Sequence, residues 1–163
     1  GYMTTVHAFT GDQSILDSLH SDERRARASS VSMIPSSTGA AKAVGLVLPQ
    51  LQGRLDGTAV RVPTPNVSMI DLVFNSKRKI DTVTINKAMI NASKGELKGV
   101  LGVEDKPLVS IDYNHNPLSS IFDLTQTQVI NGRLGRILSW YDNEWGFANR
   151  MSDTASFIGK LIN

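Results

Sequence analysis

The chain has 163 residues, 40% of them apolar and 20% charged, with a formal net charge of +2 and no cysteine. That is the size and composition of one folded domain with a single core. It excludes disulfides, thiolate metal sites and thiol catalysis from within this chain, and its scattered Lys and Arg leave no dedicated nucleic-acid footprint.

Gly1-Tyr2-Met3 leads straight into a strand pattern, so no secretion signal is expected, and no apolar run is long enough to cross a bilayer. A cytoplasmic location is the expectation. Residues 2–9 predict a strand with Tyr2, Val6 and Ala8 on one face and Thr5, His7 and Phe9 on the other. Residues 10–35 are polar and poorly periodic, a loop of a length usually found at functional sites or interfaces. Residues 38–48 predict a short helix, apolar on most sides and therefore buried, ended by Pro49.

Strands are predicted over 58–63 and 67–75, with Pro63-Thr64-Pro65-Asn66 between them. Asp81 can cap a helix running to Ala92, with Val83, Ile85, Ala88, Met89 and Ala92 on its inner side. Glycines break the pattern from Gly95 to Gly102. Further strands are predicted over 108–113, 118–124, 127–131 and 135–142, the last two joined by a tight Asn131-Gly132 turn. A closing helix over 147–162 carries the stripe Phe147, Met151, Ala155, Ile158, Ile162. Strands joined by short turns favour antiparallel pairing, so the expected class is α+β: a mixed, mostly antiparallel sheet with helices packed on one face. No Gly-x-Gly-x-x-Gly follows a strand, so no dinucleotide-binding fingerprint is present.

Three stretches combine features suited to anions and proton transfer. His7 ends the first strand, where an imidazole with a free pKa near 6.5 can exchange protons at neutral pH; read alone, it fits better as a hydrogen-bonded, half-buried histidine. Thr10 adds a hydroxyl nearby. Ser36-Ser37-Thr38-Gly39 opens a helix whose free N–H groups and dipole favour anions, although a plain helix cap explains the same residues. Arg61 lies between Val60 and Val62 and needs either an anionic ligand or a salt bridge, with Asp71 or Asp56 as candidates. Arg24, Arg25 and Arg27 form the one basic cluster; they are either a solvated loop or the source of one arginine that grips an oxyanion. In Trp140-Tyr141-Asp142-Asn143-Glu144-Trp145, Asn143 could serve a flat heterocycle, but a core corner in which Asp142 or Asn143 caps the last helix is the simpler account. His20 and His115 have no metal-ligand spacing.

Thr-Thr-Val-His-Ala at 4–8, Ser-Thr-Gly-Ala-Ala-Lys-Ala at 37–43, Arg-Val-Pro-Thr-Pro-Asn-Val-Ser at 61–68, Gly-Glu-Leu-Lys-Gly-Val-Leu-Gly at 95–102 and Ser-Trp-Tyr-Asp-Asn-Glu at 139–144 resemble phosphorylating glyceraldehyde-3-phosphate dehydrogenase, in order and over essentially the whole chain. The resemblance implies the C-terminal catalytic domain, residues 1–163, of a longer glycolytic oxidoreductase. Such an enzyme converts D-glyceraldehyde 3-phosphate to 1,3-bisphosphoglycerate through a thioester. It further implies His7 as acid/base, Thr10 and Arg61 as the site for the substrate's phosphate, Arg25, Thr38 and Gly39 as the site for inorganic phosphate, and Asn143 as the amide that holds the nicotinamide carboxamide. The 10–35 loop resembles the segment that packs between subunits of a homotetramer.

The family's nucleophilic cysteine, in a Ser-Cys-Thr-Thr-Asn motif, and its nucleotide-binding half both belong upstream of Gly1. The chain alone is therefore expected to be inactive and to need its own N-terminal domain as partner. NAD is the implied cofactor. Asp17-Ser18-Leu19 departs from the Leu-Pro pair of NAD-preferring members and leaves NADP open, and Phe147 stands where many members have tyrosine. Two alternatives stay open. Asn-His-Asn-Pro at 114–117 and Asn-Glu-Trp-Gly-Phe-Ala-Asn-Arg at 143–150 also resemble erythrose-4-phosphate dehydrogenase. The missing cysteine is also compatible with a non-catalytic assembly or binding fragment.

Overall fold

The computed structural model describes residues 1–162. One mixed sheet organises the chain. Its strands are β1 (Tyr2–Ala8), β2 (Ile34–Ser37), β3 (Asp56–Val62), β4 (Ser68–Asn75), β5 (Leu101–Glu104), β6 (Ser120–Asp123), β7 (Gln128–Ile130) and β8 (Leu134–Tyr141). They lie in the order β2-β3-β1-β4-β8-β6-β5, with β7 also paired to β8. β1–β3 and β5–β6 are parallel and the other pairs antiparallel. Each parallel pair is joined by a long connection, as parallel neighbours require; the one from β1 to β3 includes β2 and reaches β3 from the sheet's edge. Three helices complete the α+β fold: α1 (Ala40–Val47), α2 (Thr82–Lys94) and α3 (Trp145–Ile162).

Local chemistry sets the corners. The Asp81 carboxylate accepts from Thr84 N at 2.6 Å and caps α2. Asn131 and Gly132 both adopt positive φ, 52° and 64°, which turns β7 tightly into β8. Val67, Tyr113 and Ile121 form a buried cluster with Leu108, Leu118 and Trp140 around it. There Tyr113 stacks on Trp140 with ring centroids 5.4 Å apart. Burial pushes the Tyr113 phenol up to about 12, helped by the nearby Asp123, Glu104 and Asp112 carboxylates.

The differences from the sequence-based expectation have physical causes. β1 is a central strand, so both its faces are partly covered; Tyr2 is exposed while Met3, Thr5 and Ala8 are buried, and simple alternation fails. α1 is not buried: of its residues only Ala41 is, and Leu46 is 85% exposed. On α2, Ile85 and Met89 are partly covered, but Val83 and Ala88 face out. Residues 110–113 form a 3₁₀ turn instead of a strand, and β5 lies in the glycine-rich stretch. Leu118 packs onto Gly102 there: a Cβ would meet Leu118 Cδ1 at 2.6 Å and push that side chain aside. The stripe of α3 exists, but Phe147, Met151, Ile158 and Ile162 are exposed within this chain.

Candidate anion and proton-transfer site

His7 and Arg61 face each other because β1 and β3 run parallel with these residues in register. Arg61 Nη1 lies 2.6 Å from His7 Nδ1 and donates to Ala8 O at 3.2 Å, while His7 Nδ1 is also 2.6 Å from Ala8 O. A guanidinium only donates, so when Arg61 bonds Nδ1 that nitrogen must be the acceptor and the ring proton sits on Nε2. Among the described residues no protein hydrogen bond engages Nε2, so its N–H is open to a ligand. Burial lowers the His7 pKa below 6.5 and the Arg61 charge lowers it further, against an opposing effect of Ala8 O.

Neither candidate salt bridge to Arg61 forms. Asp71 is held by Arg136 at 2.7 Å, and Asp56 accepts from Gly57 N at 2.8 Å. Arg61 Nε is buried without a hydrogen-bond partner among the described residues. Burial also lowers the Arg61 pKa, the nearby Arg25 adds to this, and Tyr141 and Asp12 oppose it. A half-buried cation with an orphaned donor and no acid of its own has the chemistry to accept an anion.

The loop before β2 brings a second cation to this end of the sheet. Arg25 pairs closely with Asp12 and donates from Nη2 to Ser36 Oγ at 2.6 Å. Asp12 accepts from Gln13 Nε2 at 3.2 Å, and Gln13 Oε1 accepts from both the N–H and the hydroxyl of Thr10 at 3.0 and 3.1 Å. Desolvation pushes the Asp12 carboxyl up, but Arg25 and His20 together bring it below 3.8. Of the three clustered arginines only Arg25 turns inward this way; Arg27 reaches the exposed Asp17. Thr10, Arg25 and Arg61 therefore belong to one neighbourhood with His7.

Ser68, 1% exposed at the start of β4, carries the connection to Asn143. Its hydroxyl accepts from Ala8 N at 3.1 Å and donates to Asn143 Oδ1 at 2.6 Å. Asn143 Nδ2 has no protein acceptor among the described residues, so the donor a carboxamide oxygen would need is left free. Asp142, not Asn143, holds the corner before α3: its buried carboxylate accepts from the N–H groups of His115, Glu144 and Trp145 and from Asn66 Nδ2. Trp140 sits in the core and donates to Asp123 at 3.1 Å, so the aromatic stretch divides between packing and site.

Thr38 and Gly39 stand apart. Gly39 precedes α1 with open space around it, and Thr38 Oγ1 accepts from Ala40 N at 3.2 Å. The preceding Ser37 pairs with Thr58, three residues before Arg61, or about 10 Å along the strand. Among the described residues no hydrogen bond or ion pair joins them to His7 or Arg61; Arg25 bonds Ser36, two residues before Thr38. Asp12, Gln13, Ser68 and Tyr141 were not singled out from the sequence. Asp12 had one usable signal, an acid in the loop that carries the arginines; Ser68 and Tyr141 act through a tertiary approach invisible to periodicity. Among the described residues no group of three or more His, Cys, Asp or Glu could hold a metal ion.

The fold and this site define an α+β domain that presents one imidazole base beside two inward-turned arginines at the end of a mixed sheet. Residues 1–143 match the family model for the C-terminal domain of glyceraldehyde 3-phosphate dehydrogenase, and the chain belongs to that family. It is 65% identical to glyceraldehyde-3-phosphate dehydrogenase of Xanthobacter flavus over 161 residues, 60% to that of Cereibacter sphaeroides over 162, and 53% to glyceraldehyde-3-phosphate dehydrogenase 1 of Bacillus subtilis over 160. These alignments cover 98–99% of this chain but 48–49% of each relative, so the chain spans about half the length of the curated relatives it matches.

Proposed function

We propose that this chain is the catalytic C-terminal half of a phosphorylating glyceraldehyde-3-phosphate dehydrogenase. The whole protein would oxidise D-glyceraldehyde 3-phosphate and trap the acyl group, held as a thioester, with inorganic phosphate to give 1,3-bisphosphoglycerate. The observation that carries this is the adjacency of His7 and Arg61 on paired parallel strands, with no acid neutralising Arg61. His7 Nε2 would take the proton of the attacking thiol and of the hydroxyl formed from the aldehyde. The thiol itself must come from outside this cysteine-free chain, which alone would be inactive.

Arg61 and Thr10 would hold the substrate's phosphate, and Arg25, Thr38 and Gly39 the incoming one. Asp12 and, at 3.5 Å, Asp22 are the counter-ions of Arg25 that an anion would have to displace. The free Nδ2 of Asn143 suits a carboxamide oxygen, so the residues present fit a nicotinamide. That cofactor, NAD with NADP as the alternative, would accept the hydride. Its own N-terminal domain and further copies in a homotetramer would cover the apolar surfaces of α1 and α3. A cytoplasmic location fits this role; among the described residues no helix is long and apolar enough to cross a membrane.

The test is to purify the whole protein and follow reduction of NAD and NADP with glyceraldehyde 3-phosphate and erythrose 4-phosphate, with and without inorganic phosphate. Phosphate-dependent reduction with the glyceraldehyde compound as better substrate is expected, since the relatives carry that name. Absence of reduction with either aldehyde sinks the proposal and favours a non-catalytic fragment.

A further inference from the structure

We infer that Arg61 is also a positioning residue for His7: docked on Nδ1 it holds the ring in the tautomer that cannot act as a base, and an anion that draws it away arms the histidine. This rests on the reading of Arg61 as holder of the substrate's phosphate and adds a coupling between that site and proton transfer.

The argument begins with a conflict at one atom. His7 Nδ1 lies 2.6 Å from Arg61 Nη1, which can only donate, and 2.6 Å from Ala8 O, which can only accept. Nδ1 cannot satisfy both in the neutral ring. With Arg61 in place it accepts, and Nε2 keeps the proton and has no lone pair to offer. With Arg61 withdrawn, Nδ1–H donates to Ala8 O, and the lone pair moves to Nε2, where no protein hydrogen bond competes. The change balances through solvent: Nε2 gives one proton to water and Nδ1 takes one from water.

Other groups facing the pair do not resolve the conflict. From β8, the Tyr141 ring meets His7 edge-on at 6.1 Å, and burial raises its phenol pKa, so it stays neutral. From β4, the Ser68 hydroxyl is engaged by Ala8 N and Asn143 and lies against the Tyr141 phenol. From the loop, Arg25 and Asp12 act on Arg61 in opposite directions and are paired with each other. Arg61 meanwhile has an orphaned buried Nε, so an anion offers it more than His7 does. Anion binding then removes a positive charge from Nδ1 and leaves Ala8 O to stabilise the protonated ring. Both effects raise the affinity of His7 for a proton.

The test reads His7 without catalysis. Diethyl pyrocarbonate modifies neutral imidazole, and peptide mapping by mass spectrometry separates His7 from His20 and His115. The rate is measured against pH on the whole protein, in sulfate, which does not titrate in this range, and in chloride of equal ionic strength. The midpoint for His7 is expected to rise by about one pH unit in sulfate. In Arg61→Gln it should be raised already and indifferent to sulfate. An equal midpoint in sulfate and chloride for the unaltered protein overturns the inference without needing any variant, as does an undiminished sulfate shift in Arg61→Gln. A whole protein that forms 1,3-bisphosphoglycerate with an unmoved midpoint keeps the proposed function and loses this coupling; one that reduces no cofactor loses the proposed function instead.

Discussion

Ser68 Oγ donates to Asn143 Oδ1 at 2.6 Å while accepting from the backbone N–H of Ala8, the residue after His7. One buried hydroxyl thus ties the strand that carries the base to the amide proposed to hold the cofactor. In this orientation of the amide the hydroxyl proton meets Oδ1 and Nδ2 stays open. Ser68→Ala should release Asn143 and orphan the Ala8 N–H. In the whole protein the KM for the nicotinamide cofactor should rise about five- to tenfold, the worth of one buried hydrogen bond, and urea unfolding should show about 1–3 kcal/mol lost. If Ser68 acts through Asn143, the rise in KM disappears when Asn143→Ala is already present; a full rise in that background removes the link.

Arg61→Ala tests the anion site by comparing two aldehydes. The KM for glyceraldehyde 3-phosphate should rise about 10- to 100-fold, as expected for losing charged hydrogen bonds to a phosphate. The unphosphorylated aldehyde should suffer far less. Equal losses on both would remove Arg61 from substrate-phosphate binding.

His7→Asn separates chemistry from binding. Asparagine keeps a polar side chain of similar reach but cannot carry a proton at neutral pH. The acylation burst should slow by about 10²- to 10⁴-fold, with the dissociation constant of the aldehyde largely unchanged. An unaltered burst rate would refute the acid/base role.

Asp142 gives the fold a dependence on pH. Burial pushes its carboxyl up, but donors from Trp145, His115, Asn66 and Glu144 outweigh burial and bring it below 3.8. A depressed folded pKa means that the unfolded chain binds the proton first on acidification. The stabilisation is therefore complete above 3.8 and is lost as pH falls below that value through the folded pKa. Asp142→Asn should cost about 1–3 kcal/mol at pH 7, because an amide cannot accept all four bonds. It should also flatten the fall in stability on the acid side of 3.8, measured by denaturant unfolding at several pH values. An unchanged acid slope would place that dependence in other carboxylates.

Much of this was legible in the sequence. Asn131-Gly132, Asp81 and Pro49 each impose backbone geometry by themselves, so the turn into β8, the start of α2 and the end of α1 fall within a residue or two of expectation. His7 and Arg61 were also readable, each as a polar residue at a strand end. What periodicity could not supply was their register: β1 and β3 are parallel neighbours separated by the whole loop and α1, and only the fold places position 7 against position 61. The apolar stripes of α1 and α3 misled in another way. They record surface that wants covering, but a single chain does not say whether its own core or another body provides the cover. Thr38 and Gly39 were named through family resemblance, and their separation from Arg61 is set by the antiparallel register of β2 on β3.

Gly57 tests the β1–β3 pairing that this site depends on, from a point remote from the chemistry. It lies opposite Met3, and a Cβ built on it would meet Met3 O at 2.5 Å, a backbone atom that cannot turn aside. Position 57 is four residues below Arg61, about 13 Å along the strand. Gly57→Ala should therefore cost about 1–3 kcal/mol through overpacking while leaving the folded molecules able to turn over. Denaturant unfolding should report the loss, and kcat per folded molecule should stay within about twofold of the parent, as for a strain that relaxes locally. Unchanged stability would mean that the strands separate freely at this end. A large fall in kcat would mean that strain travels along the pair and disturbs the contact of His7 with Arg61.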